Sequence, residues 1–274
     1  MSEQAKILVR KYWIKLILFL VVSSGILAWF SWDPLYWYTI DWPWSAYNYY
    51  IFLNLLAMTV LEIPMGVVYI LQAKRNVNTM NEECDPYLFE ECWQKMKPEH
   101  LFKNIYHHNC SVAKFHQGKI EEAWEHVNKI KPARLRGMTK YVYYKMKADL
   151  CFASDMIHEL KSVENEFQQR IRGKKDEEVF KHICANNNMY RAYLNKDYEA
   201  AYCFMEESKE YRGAIHYMMQ KVFYAYWTGL IDKEVGNLIS AKVHFEFVVK
   251  NGNRMACVET AKAYLEELNE KTEF

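Results

Sequence analysis

Two long apolar runs occupy the first 75 residues, and beyond Arg75 the pattern changes to short amphipathic stripes. From Trp13 to Trp32 the chain reads WIKLILFLVVSSGILAWFSW, with Lys15 as its only charge. A second run, YIFLNLLAMTVLEIPMGVVYILQ, extends from Tyr50 to Gln72. Each matches the roughly 20 residues that an α-helix needs to cross a bilayer. A helix is the expected form, because a lone hydrophobic segment must satisfy its own backbone groups in lipid. The pattern therefore predicts two transmembrane helices, about 13–32 and 50–72, joined by a short outside loop, 33–49.

Charge orients this hairpin. Lys6, Arg10, Lys11 and Lys15 precede or open the first run, and Lys74 and Arg75 follow the second. The connection has no Lys or Arg, only Asp33 and Asp41. The positive-inside rule places both termini in the cytoplasm and the connection outside. No small-residue cleavage site follows the first run; Trp29, Phe30 and Trp32 stand there instead, which argues against a cleaved signal peptide. The connection is rich in Trp and Tyr, which prefer the headgroup layer, and reads as an interfacial belt. Glu62 is the one ionisable residue near the middle of either run. In an antiparallel hairpin it falls at the depth of Ser23 and Ser24, beside the small Gly25. A protonated Glu hydrogen-bonded across the pair is the simplest expectation, and a functional intramembrane carboxylate the sharper one.

After Arg75 apolar residues recur at about 3.6-residue spacing, with charges between them, which predicts an all-α domain over 76–274. Asp85-Pro86 starts a helix well, an acidic N-cap with Pro in the first turn. Three segments then align on a turn followed by an amphipathic helix: GKIEEAWEHVNKI from Gly118, KDYEAAYCFMEES from Lys196, and GNLISAKVHFEFV from Gly236. Each has Ala five residues after the turn, at Ala123, Ala201 and Ala241. A larger apolar residue follows four later, at Val127, Met205 and Phe245. Ala permits close helix approach, and the larger residue fills the next gap in a stack of units.

This pattern resembles the second helix of the tetratricopeptide repeat family. The third copy also carries Gly229, seven residues before Gly236, as the family's first-helix glycine. First helices are expected at about 100–116, 176–194 and 213–233. A degenerate unit at 137–172 would hold helices over 137–153 and 154–171, and a last helix from Met255 would cap the series. The first-helix Trp and Tyr signature of the family is absent.

The resemblance implies an α-solenoid whose first helices line a groove for a peptide or helix of a protein partner. Carrying the family's groove spacing from Gly229 gives Phe223, Tyr226, Leu230 and Lys233. The equivalent positions are His108, Val112 and Phe115 in one unit, and Asn186, Tyr190 and Tyr193 in another. The selected candidates are His108, Phe115, Asn186, Tyr190, Tyr193, Tyr226 and Lys233.

Composition narrows the chemistry. Lys and Arg total 35 against 34 Asp and Glu, so there is no global basic signal for nucleic acid. Beyond residue 75 the balance is 29 basic to 30 acidic. The seven cysteines lie in the expected cytoplasmic part without a C-x-x-C pair, and read as small core residues rather than a disulfide framework. The cluster HHNC, His107 to Cys110, has no second ligand pair at zinc spacing, so no metal is expected. No nucleophile elbow, zincin helix, phosphate loop or dinucleotide fingerprint is present, which predicts neither an enzyme nor a cofactor. KIKPARLRGMTK, Lys129 to Lys140, could touch anionic lipid or nucleic acid, but is more simply a solvated loop between units. The expected function is a membrane-anchored adaptor holding a protein partner at the cytoplasmic membrane face. The alternative is an accessory subunit of a transport or sensory system in which the hairpin and Glu62 do the essential work.

Overall fold

The computed structural model describes residues 75–96, 103–135, 137–211 and 216–272. The two expected spans and their connection, with Glu62, Ser23 and Ser24, lie outside the described residues. Among those described, no helix is long and apolar enough to cross a membrane. The chain divides into two compact units, Met1–Val77 and Asn78–Phe274, and the second is the subject below.

All regular structure among the described residues is helical. The α-helices are α1 (Pro86–Met96), α2 (Lys103–His116), α3 (Ile120–Asn128), α4 (Gly137–Ala153), α5 (Leu160–Gln168), α6 (Lys174–Leu194), α7 (Tyr198–Lys209), α8 (Met218–Glu234), α9 (Leu238–Asn251) and α10 (Ala256–Thr272). Short 3₁₀ turns, Pro132–Arg134 and Ile157–Glu159, precede α4 and α5. α2 packs on α3, α4 on α5, α6 on α7 and α8 on α9; each second helix also touches the first helix of the following pair.

One turn chemistry closes these pairs. Gly118, Asp155, Lys196 and Gly236 all have positive φ, between 57° and 82°. Each is followed by the same six-to-one bond: Lys119 N–H to Lys114 O (2.9 Å), Met156 to Cys151 (2.8 Å), Asp197 to Ala192 (2.9 Å) and Asn237 to Asp232 (2.8 Å). This left-handed termination satisfies carbonyls that the helix end would otherwise leave unpaired. Cys84, φ 51°, makes a related left-handed turn ahead of α1, but the bond there reaches one residue further, from Asp85 N–H to Thr79 O at 2.9 Å. Asp85 then caps α1, its Oδ1 accepting from Tyr87 N–H (3.1 Å) and Leu88 N–H (3.0 Å).

Two helix starts differ from expectation. The helix expected over 154–171 begins only at Leu160, because the Asp155 turn and a 3₁₀ turn consume residues 154–159. The described helix near 213 begins at Met218. There Gln220 reaches back, its Oε1 accepting from Tyr217 N–H at 2.9 Å.

Packing uses the small residues of the aligned segments. Ala123, Ala201 and Ala241 are fully buried, as are Met205 and Phe245, with Val127 almost so. Gly229 faces Phe245 closely enough that a Cβ there would lie 2.9 Å from the ring. Along α2, α4, α6 and α8, exposed positions are confined to the first two turns and the last residue. The second helices instead carry an exposed stripe along their length, for example Glu121, Glu122, Glu125 and Asn128 on α3. First helices therefore form an inner layer and second helices an outer one.

The ends of the series meet. Asn253 Nδ2 donates to Glu83 O at 2.7 Å, and Arg254 lies 3.4 Å from Asp85 with its guanidinium 4.4 Å from the Tyr87 ring centre. A Cβ on Gly118 would sit 3.2 Å from that of Ala256, so the start of α10 rests on the turn before α3.

Candidate functional site

The inner layer carries the candidate groove residues, and the structure separates them into two groups. Asn186 and Tyr190, on α6, are buried at 1% exposure. His108, Phe115, Tyr193, Tyr226 and Lys233 are half-buried.

Tyr190 joins three first helices. Its hydroxyl donates to Asp149 of α4 at 2.7 Å, and its ring stacks on Phe152 at 4.5 Å and meets Trp227 of α8 at 5.2 Å. Asp149 is also paired with Lys145, one helical turn away. The Lys145 ammonium lies 4.6 Å from the centre of the Phe223 ring, a cation–π contact. A buried charge pair is tolerated when its remaining valences are met, and here Tyr190 and Phe223 meet them. The phenol of Tyr190 is held well above its ordinary pKa by burial and by Asp149, so it keeps the proton that it donates.

Asn186 belongs to a second cluster. Its Nδ2 donates to His182 O at 3.0 Å and lies 3.3 Å from His182 Nε2. His182 Nδ1 is 2.9 Å from Ser208 O on α7. A carbonyl accepts only, so Nδ1 carries the proton and Nε2 accepts from Asn186. Burial lowers the His182 pKa to about 4, with the Lys145 charge acting in the same direction. The ring stacks on Tyr211 at 4.7 Å, and Ser208 Oγ pairs with Tyr224 Oη at 2.9 Å. Asn186 Oδ1 and His108 Nδ1 are buried without partners among the described residues. His108 is lowered to about 4 by burial, and His116 to about 3 by burial and Lys145.

The remaining candidates sit against neighbouring elements. Tyr193 meets Trp227 edge-on at 5.4 Å and Tyr198 at 5.7 Å. Tyr226 lies 6.4 Å from Phe245, and burial raises its pKa to about 12. Lys233 is 3.5 Å from Glu267 of α10 and 4.7 Å from the Tyr264 ring centre. α10 thus covers the side of α8 that carries Tyr226 and Lys233. Phe115 contacts His116 at 5.2 Å.

The HHNC cluster is divided by its helix. His107 is buried and its Nδ1 stands 3.1 Å from Nδ1 of His126 on α3. Among the described residues, no group of three or more His, Cys, Asp or Glu is placed to hold a metal ion. Cys84, Cys92, Cys110 and Cys151 are buried and Cys184 and Cys257 half-buried. Cys203 departs from the core reading: it is exposed, because it falls on the outer stripe of α7.

Two features lie outside the aligned repeat pattern. The Lys145–Asp149 pair lies on α4, whose unit lacked the aligned pattern. An exposed aliphatic stripe, Val235, Ile239 and Val243 at 55%, 81% and 59% exposure, runs onto the outer face of α9 at four-residue spacing. The same helix buries Ala241 and Phe245 on its other face. No protein family, characterised protein or solved structure matches the chain.

Proposed function

We propose that the chain is a membrane-anchored, tetratricopeptide-like adaptor that holds a protein partner at the cytoplasmic membrane face. The observation that carries the reading is the serial pairing of helices, with Ala123, Ala201 and Ala241 buried at equivalent places and Gly229 against Phe245. Small residues at recurring crossings are what a stacked helix-pair repeat requires. The anchor rests on the two apolar runs and their flanking charges.

Asn186 and Tyr190 are committed to packing, so in this conformation they tie neighbouring units together rather than meeting a partner. Contact is better supplied by the half-buried Tyr193 and Phe115 and by the outer stripe of Ile239 and Val243. An isoleucine left 81% exposed gains free energy only when something covers it.

Alkaline extraction of membranes tests the anchor: the full chain should stay in the pellet, and release into the supernatant would overturn that part. A photo-crosslinker at position 243 or 193 of the full-length protein tests the adaptor part. One specific adduct, lost in Ile239→Asp, is expected; absence of an adduct from both positions would overturn it. If Glu62→Gln abolishes activity while that adduct persists, the transport or sensory reading takes its place.

A further inference from the structure

Two loops that are distant in sequence meet at one edge of the second unit. The segment before α4 contributes Pro132 and Leu135, and the segment before α6 contributes Arg170 and Arg172, to one open cleft. Lys140 and Asp176 lie between them as an ion pair, and Lys140 Nζ also donates to Arg170 O at 3.1 Å. That lysine is spent in pinning the loops together. Around it Lys129, Lys131, Lys174 and Lys175 are exposed and outside any ion pair among the described residues; Arg172 is exposed too, with its backbone N–H donating to Asp176 at 2.9 Å. The neighbouring acids are Asp176, which Lys140 and the Arg172 backbone share, and Glu177 and Glu178 near the start of α6. A unit with near-balanced charge has therefore gathered an unpaired excess of positive charge at one place.

We infer that this edge docks on the phosphate headgroups of an anionic membrane surface. The inference rests on the membrane-anchored reading, which keeps the edge within reach of lipid. Clusters of four to eight Lys or Arg are the usual signature of such contacts, each cation adding about fivefold to binding near the surface. Neither 129–140 nor 170–176 contains an aromatic residue on which a base could stack, whereas Leu135 and Ile171 can enter the headgroup layer. Those features favour lipid over nucleic acid.

The test uses the full-length protein in nanodiscs of phosphatidylcholine, with or without phosphatidylserine. Amine acylation of Lys129, Lys131, Lys174 and Lys175 is read by mass spectrometry, with exposed Lys196 and Lys250 as controls. Labelling of the four should fall at least fivefold in the anionic discs and recover at high salt, while the controls stay unchanged. Reversing Lys131, Arg172 and Lys174 to Glu should abolish protection of Lys129; if that variant misfolds, Lys174→Gln with Lys175→Gln should weaken surface binding by about 25-fold and return Lys129 and Lys131 labelling to the phosphatidylcholine level. Equal labelling in both discs would overturn the proposal, as would protection by added RNA but not by phosphatidylserine. If the protein enters neither disc, the anchor reading fails by itself. Flotation with phosphatidylserine vesicles then decides: retention supports the edge, and no retention overturns it.

Discussion

Acidification should loosen the helix stack, and His182 sets the scale. Its imidazole is neutral in the folded protein, donating through Nδ1 to Ser208 O and accepting at Nε2 from Asn186. Burial, with Lys145 nearby, lowers its pKa to about 4. The unfolded chain takes up that proton near pH 6.5, whereas the folded chain waits until about pH 4. A lowered folded-state pKa means that the stability is fully present above about 6.5 and is lost as pH falls towards 4. At pH 5 the difference is about 2 kcal/mol for His182 alone. His108 and His116 are lowered in the same direction, to about 4 and 3. Each adds a loss of similar size, a large share of the roughly 5–15 kcal/mol that holds a typical domain together. Hydrogen exchange of the full-length protein at pH 7.5 and 5.0, corrected for intrinsic rates, reads this as opening free energy in peptides from α6. His182→Gln should reduce stability at pH 7.5 but shrink the difference between the two pH values by about 2 kcal/mol. Equal protection of α6 at both pH values in the parent, or an undiminished difference in the variant, would refute the reasoning.

Other perturbations follow from the packing. Lys145→Met leaves Asp149 buried with only Tyr190 as partner and should cost about 3–5 kcal/mol; adding Asp149→Leu should recover part of it, as chemical denaturation would show. Gly229→Ala should destabilise by about 1–3 kcal/mol despite the better helix propensity of Ala, since its methyl would press on Phe245; Phe245→Leu should relieve this in the double variant. Lys196 holds φ of +60° at a turn where Gly118 and Gly236 serve elsewhere, so Lys196→Gly should raise the unfolding midpoint by about 1 kcal/mol equivalent. Asp85→Ala removes the α1 cap and the Arg254 contact, and should cost about 1–2 kcal/mol with faster exchange at 83–88.

Helix type and the aligned second helices were legible along the chain because both depend on local periodicity. Ala123, Ala201, Ala241, Met205 and Phe245 could be placed in the core for that reason. The 137–172 unit was harder, because Asp155 supplies the left-handed turn without a glycine and α5 starts late through a 3₁₀ turn. The candidate groove was harder still. Spacing puts Tyr190 and Asn186 on one face of α6, but cannot say whether that face meets solvent, a partner or the next helix.

By itself, then, the sequence determined an all-helical second unit, the close crossings at Ala and Gly, and two apolar runs long enough to span a bilayer. These follow from side-chain size and spacing within one segment. Only the tertiary structure decided that Lys145, Asp149 and Tyr190 share one buried cluster, and that Arg254 returns to Asp85. It also brought 129–140 beside 170–175. Apart from the local Lys145–Asp149 pair, these contacts join residues that are from 30 to about 170 positions apart. Their partners are chosen by how each helix pair rotates on the next, a sum of many small packing terms that no single segment encodes.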